Sequence, residues 1–295
     1  MEIRPDYYDD FKCIAGECKH NCCIGWEIDI DDVTLKKYKK ISGSLGEKLQ
    51  KNISPLPTAH FVLGKSERCP FLNQDNLCEL IICGGEDMLC DICKEHPRFY
   101  NDTFGITEKG IGISCEAAAK IILSKQSKFC LISDGELPNN DFFAKRSEIF
   151  NILQERTKPL TERISNLLKW ANISSPIGKI NWIAVYKGLE RLDLAWDERL
   201  DRLTFISENI PNNLETAYEQ LICYFIYRHL SGALNDFLFY ERIRFAVLSC
   251  FFIASLNRKN TMEELLNIAR MYSCEIEYSD ENIQILLEKL EELNM

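Results

Sequence analysis

Cys13, Cys18, Cys22 and Cys23 stand within eleven residues, spaced C-x4-C-x3-C-C. Thiolates are soft ligands, and a zinc ion or an iron–sulfur cluster takes a small set of them, commonly four, at fixed separations. Further along, Cys69-Pro-Phe-Leu-x5-Cys78 places two thiols around a turn-rich loop, Cys90-x2-Cys93 supplies two more, and Cys115 opens a helical stretch. These nine (Cys13, Cys18, Cys22, Cys23, Cys69, Cys78, Cys90, Cys93 and Cys115) are the candidate metal ligands. Nine exceeds one four-ligand site, so either two centres exist or some cysteines line a centre without binding it. The other five, Cys83, Cys130, Cys223, Cys250 and Cys274, read as buried, inert thiols.

A disulfide framework suits this pattern poorly. The opening Met-Glu-Ile-Arg-Pro-Asp-Tyr-Tyr-Asp-Asp lacks the basic and apolar regions of a secretion signal. The expected compartment is therefore the cytoplasm, where thiols stay reduced. Zinc ribbons pair two C-x2-C knuckles, and here Cys90/Cys93 alone has that form. The C-x3-C-x2-C run of radical-SAM enzymes is absent. Adjacent cysteines such as Cys22 and Cys23 diverge and rarely ligate one ion together, which favours iron–sulfur; spacing alone leaves zinc open as the alternative. His20 and His96 are possible extra ligands with ordinary loop roles as the competing reading, and Trp26 is expected to pack over the centre.

The elements that must position these groups make a mostly α protein. Residues 1–130 read as an irregular cysteine-rich, metal-binding cap. It carries a short helix at Asp32–Lys40 and loops around Pro55, Pro57, Pro70 and Pro97, with Gly84-Gly85 between. Such a segment has little apolar periodicity, so metal binding has to replace a core. Residues 131–295 read as an α-helical bundle. Helices are expected over Cys115–Lys125, Asp141–Arg156, Thr161–Trp170, Lys179–Trp196, Arg199–Glu208, Leu214–Leu230, Asp236–Leu256 and Asp280–Leu293. A capping box at Thr261-Met-Glu-Glu264 opens another. No strand alternation persists beyond a few residues.

The net charge of −10 and the lack of a basic block argue against nucleic acid as partner. The longest uncharged apolar run, Phe245 to Leu256, is shorter than the roughly 20 residues of a membrane span. No G-x-G-x-x-G dinucleotide loop is present.

The combined pattern resembles the flagellin lysine-N-methylase family, and more distantly the broader putative zinc- or iron-chelating proteins. The residues that carry the likeness are Phe11-Lys-Cys-x4-Cys-x3-Cys-Cys-x2-Trp26 with Ile28-Asp-Ile-Asp, Cys69-Pro-Phe-Leu-x5-Cys-Glu79, and Leu89-Cys-x2-Cys-x2-His-Pro-Arg98. Glu108-x2-Ile111-x-Ile-Ser-Cys115 and Glu219–Leu230 follow in the family's order, with Glu116 where proline usually stands. The likeness is dense over the first ~125 residues and thin beyond them. It implies S-adenosylmethionine-dependent methyl transfer to lysine side chains of a flagellin-like protein substrate, with a [4Fe-4S] cluster on the cysteines. An iron with an open position would then hold the donor's amino and carboxylate groups beside a cation, for which Arg98 is the candidate. Glu108 could orient the lysine amine, with a helix-capping or surface role as the competing reading. Two readings stand beside the methylase: a zinc-stapled interaction domain, and an iron–sulfur electron carrier.

Overall fold

The structure, a computed structural model, describes residues 1–136 and 140–294. It is mostly α, and it divides into two compact units: Lys12–Phe99, and Met1–Phe11 with Tyr100–Met295.

The chain opens with β1 (Glu2–Pro5) and then enters the smaller unit. There α1 (Asp32–Tyr38) is capped by Asp31, whose carboxylate accepts the Thr34 amide at 2.8 Å. Next come α2 (Gly43–Lys51), the two-residue strands β2 (Ile53–Ser54) and β3 (His60–Phe61), α3 (Glu79–Gly84) and α4 (Asp91–Glu95). None of these helices exceeds nine residues, a length at which an isolated helix is marginal in water.

The chain passes into the larger unit along β4 (Arg98–Thr103), followed by β5 (Ile106–Ile111), the two joined by Phe104-Gly105, both at positive φ (53° and 75°). That is the backbone a two-residue hairpin turn requires. Then follow α5 (Glu116–Leu123), β6 (Leu131–Ser133), α6 (Asp141–Leu153), α7 (Leu160–Trp170), α8 (Trp182–Gly188) and α9 (Leu194–Asp201). The chain ends through α10 (Glu215–His229), α11 (Ala233–Asp236), α12 (Phe239–Leu256), α13 (Met262–Tyr272), a π turn at Ser273–Glu277, and α14 (Asp280–Glu291). The helices α10 and α12 are buried nearly all round and pack on each other, with α5 also against α10. A helix apolar on every side belongs in the centre of a domain.

The structure differs from the sequence reading in three places. First, a four-stranded sheet forms in the order β4-β5-β1-β6, with β1 parallel to β5 (Ile3 opposite Glu108) and antiparallel to β6. This ties residues 1–11 and 100–133 to the helices, so the division does not fall at residue 130. Alternation in β5 is hidden because its inward position 108 is a carboxylate, satisfied by a distant arginine. Second, the helix expected over Lys179–Trp196 breaks after Gly188. Glu275 accepts the amides of Leu192 and Asp193 at 2.8 and 2.9 Å, and Asn282 bonds both backbone groups of Glu190. Third, helix over Arg199–Glu208 stops at Asp201. The capping box at Thr261 holds by half: its hydroxyl accepts the Glu264 amide at 3.2 Å, while the Glu264 carboxylate turns to the Lys259 amide.

Candidate functional site

Within the smaller unit, Cys69 and Cys90 belong to a core with Ile28, Ile30, Tyr38, Phe61, Phe71 and Leu80, and Cys23, Cys78 and Cys93 pack against it. Short loops deliver each thiol. The Cys69 amide donates to the Cys23 carbonyl at 2.8 Å, and Leu72 donates back to the Cys69 carbonyl at 3.1 Å, closing the turn at Pro70. The amides of Phe71 and Leu72 also point at the Cys69 sulfur, and the amide of Cys93 at the Cys90 sulfur. Amide-to-sulfur bonds of this kind favour the thiolate. Cys78 and Cys90 are the N-cap residues of α3 and α4. Asp31 accepts the Asp91 amide at 3.1 Å, which ties the start of α4 to the start of α1.

The thiols interact in pairs. The hydrogen bond from Cys23 leads in pushing Cys22 down to about 4, with His96 adding to it, while Cys23 is pushed far up by the same bond. Cys93 likewise holds Cys90 below its ordinary range and is itself raised. Burial raises Cys69. Within each pair one thiol favours its thiolate at the other's expense, and a thiolate-bound metal requires its ligands deprotonated. His96, half-buried, lies against Cys22, and the Trp26 ring packs on it with centroids 6.4 Å apart.

The nine candidate ligands are not equivalent. Cys22, Cys23, Cys69, Cys78, Cys90 and Cys93 are linked by bonds, charge or packing within residues 12–99. Cys13 is exposed, its sulfur accepting the Ala15 amide at 3.4 Å; Cys18 is half-buried. Cys115 is the half-buried N-cap of α5 and belongs to the larger unit. Of the thiols expected to be buried, Cys223 and Cys250 are, whereas Cys83 and Cys130 are exposed and Cys274 is half-buried. Cys83 sits on the outer face of α3 beside exposed Ile81 and Ile82, a face too short to be covered by its own helix. His20 is exposed. Arg98 is half-buried, with its guanidinium 3.5 Å from the Lys94 carbonyl.

Glu27, Asp29 and His60 also approach one another in this unit, their ligand atoms within 4.8 Å. The His60 ring faces Glu27 at 3.7 Å and is steadied by the Thr58 carbonyl at 2.8 Å. Among the described residues, no three cysteine sulfurs come within that mutual distance.

The larger unit buries a polar cluster of its own. Glu277, on the π turn, is fully buried; it accepts the Tyr224 hydroxyl at 3.0 and 3.1 Å and the His229 ring at 2.6 Å, and Arg228 stands 3.3 Å away. Arg228 also donates to the Tyr224 hydroxyl at 2.7 Å and lies over the Tyr278 ring at 5.2 Å. Single π turns often mark functional positions. The helix carrying Tyr224, Arg228 and His229 lies within the helix expected over Leu214–Leu230. Glu277 is not legible in sequence, because it lies 48 residues away in a segment without amphipathic pattern.

This cluster makes a pH prediction. Burial leads in lowering His229 below its ordinary 6.5. Burial opposes the Glu277 charge, yet Arg228 and His229 bring it below 4.5. Both folded values lie below the unfolded ones, so the unfolded chain takes up protons first as pH falls, and stability is lost in the same direction. Denaturant unfolding should show stability declining below pH 6.5, by at most about 1.4 kcal/mol per pH unit for the histidine proton. His229→Gln should flatten that slope between pH 5 and 6.5; an unchanged slope would remove His229 as its source.

Glu108 is not at the surface. It is fully buried and makes two bonds to the equally buried Arg146, one of 2.9 Å, so its charge is already committed and it is not free to orient a substrate amine.

No family model and no solved structure matches the chain. Among curated proteins, it is 28% identical over 140 residues to "Lysine-N-methylase" from Salmonella choleraesuis (strain SC-B67), covering 43% of this chain and 33% of that protein. The same figures hold for "Lysine-N-methylase" from Salmonella typhimurium (strain LT2). It is 25% identical over 134 residues to "Flagellar biosynthetic protein FliU" from Salmonella muenchen, covering 43% of this chain and 79% of that protein. The match thus spans one third of the length of the lysine-N-methylase relatives. The resemblance carried by the cysteine pattern is accordingly met by relatives that bear the lysine-N-methylase name.

Proposed function

We propose that this chain is a protein lysine N-methylase that uses S-adenosylmethionine and an iron–sulfur cluster held by cysteines of residues 12–99. The observation that carries the reading is the convergence of Cys23, Cys69, Cys78, Cys90 and Cys93 on one small core. The all-thiol donor set fits a soft metal centre.

Cys69 and Cys90, buried, with Cys23, Cys78 and Cys93 beside them, would hold the cluster. When bound, it supplies an electron-poor iron able to take the amino and carboxylate groups of the methyl donor. Arg98 contributes a cation for that carboxylate. The substrate lysine, with an ordinary pKa of about 10.4, must lose its proton before it can attack the methyl group, so it has to be desolvated as it is oriented. Among the described residues no helix is long and apolar enough to cross a membrane; the names "Lysine-N-methylase" and "Flagellar biosynthetic protein FliU" of the relatives support a flagellin-like protein as the substrate.

The test is methyl transfer. Chain purified without oxygen, given S-adenosylmethionine and flagellin, should add methyl groups to flagellin lysines by mass spectrometry. A cluster-loaded chain that leaves every lysine unmodified overturns the methylase reading. Arg98→Ala should weaken donor affinity at least about tenfold, the worth of a charge-assisted bond. Full affinity in that variant would free Arg98 from the role.

A further inference from the structure

Residues 27–30 alternate in exposure: Ile28 and Ile30 are buried in the core that also holds Phe61, and Glu27 and Asp29 are exposed. The Ile30 amide donates to the Ala59 carbonyl at 2.7 Å and the Phe61 amide to the Ile28 carbonyl at 3.0 Å, so Asp29 and His60 stand opposite each other in an antiparallel bridge. Those two bonds flank the pair, which makes it the closer, non-hydrogen-bonded kind, with its side chains on one face. Glu27, two residues earlier in the alternation, belongs to that face as well. The backbone thus brings two carboxylates and an imidazole together, and their ligand atoms lie within 4.8 Å of one another.

The imidazole is oriented from outside the group. A carbonyl only accepts, so the Thr58 carbonyl, 2.8 Å from Nδ1, takes the Nδ1 hydrogen and leaves Nε2 as the nitrogen toward the carboxylates. A backbone carbonyl behind the other ring nitrogen is how metal-ligating histidines have their tautomer fixed. Nε2 stands 3.7 Å from Glu27 Oε1. That is too long for a hydrogen bond. It falls between the ~3.4 and ~4.2 Å that separate two ligands, each about 2.1 Å from one ion, in tetrahedral and in opposed positions. Calcium and magnesium ions take oxygen ligands, and soft ions take sulfur; one imidazole with two carboxylates suits the divalent ions between them. We propose that Glu27, Asp29 and His60 bind a divalent cation of the manganese-to-zinc range, through one oxygen of each carboxylate and the imidazole Nε2, with water in the remaining positions.

The probe is Mn²⁺, a poor match for thiolates, so it reads this site apart from the cysteines. Full chain purified without oxygen is titrated with Mn²⁺ at room temperature while the six-line EPR signal of the free ion is followed. The expected result is loss of signal equal to one Mn²⁺ per chain, with Zn²⁺ displacing the bound ion at far lower concentration than Mg²⁺. Glu27→Gln, Asp29→Asn and His60→Gln should each weaken binding at least about tenfold, the lower end of the loss when even a ligand's supporting partner is removed. The Glu27 side chain is 69% exposed, so Glu27→Gln keeps the fold and decides the matter should the other two variants fail to fold. Four results overturn the proposal: no stoichiometric binding, displacement by Mg²⁺ as readily as by Zn²⁺, binding unchanged in Glu27→Gln, or a folded His60→Gln that binds as before, which is attraction to acidic side chains alone. No cysteine takes part, so this site and the methylase reading fail separately.

Discussion

Replacing Cys90 and Cys93 together by alanine is expected to abolish loading of the proposed metal centre and to turn residues 12–99 into a protease-sensitive chain. Both thiols face a core whose other members are few, and Cys90 is itself 1% exposed within it. The surrounding helices are five to nine residues long and the strands β2 and β3 two each, so little local stability is available. Thiolate-bound structural metals contribute on the order of 10–16 kcal/mol to the folding of small domains, more than the net stability of a typical domain. Loss of two ligands should therefore remove the ordered state of this unit instead of trimming it. Limited proteolysis is the readout, with cleavage expected inside residues 12–99. Cys13→Ala, at an exposed thiol, should retain far more metal. A double variant with wild-type metal content and protease resistance would place the centre elsewhere.

The second large effect concerns the larger unit. Glu108→Ala should destabilise it by about 3–5 kcal/mol, the cost of leaving a buried charge without its partner. Arg146 is 2% exposed and Glu108 fully buried. The guanidinium is also boxed by the rings of Phe142, Phe143 and Tyr227 at 5.2, 5.1 and 5.6 Å, so water cannot take the carboxylate's place. Arg146→Met in the Glu108→Ala background should recover part of the loss, because the stranded charge leaves with it. Urea unfolding of the four chains completes the cycle. A single-variant loss under about 1 kcal/mol, the size of a surface pair, would contradict this description of the pair.

How much of this was legible in sequence depends on what holds each part together. Buried helices such as α10 and α12 declare themselves because apolar residues on every side leave no other place for them. The cysteines Cys69, Cys78, Cys90 and Cys93 stand out in sequence by their spacing, and the apolar residues they pack with are scattered through short elements, so periodicity does not announce that core. Strand β5 was invisible for the opposite reason: Glu108 points inward, and the group that makes this tolerable, Arg146, is 38 residues distant. The break at Gly188 has the same origin, since Glu275 and Asn282 replace helical hydrogen bonds from more than 80 residues away. Buried polar pairs of long range defeat periodicity, and here they also mark the positions where single substitutions should matter most.

Metal content decides whether the cysteines of residues 12–99 hold an iron–sulfur cluster. Iron, acid-labile sulfide and zinc should be measured on the full chain purified without oxygen. The expected result is coloured protein carrying iron and sulfide in near-equal amounts, both lost in the Cys90→Ala/Cys93→Ala variant. Colourless protein holding one zinc ion per chain, or no metal at all, would contradict it.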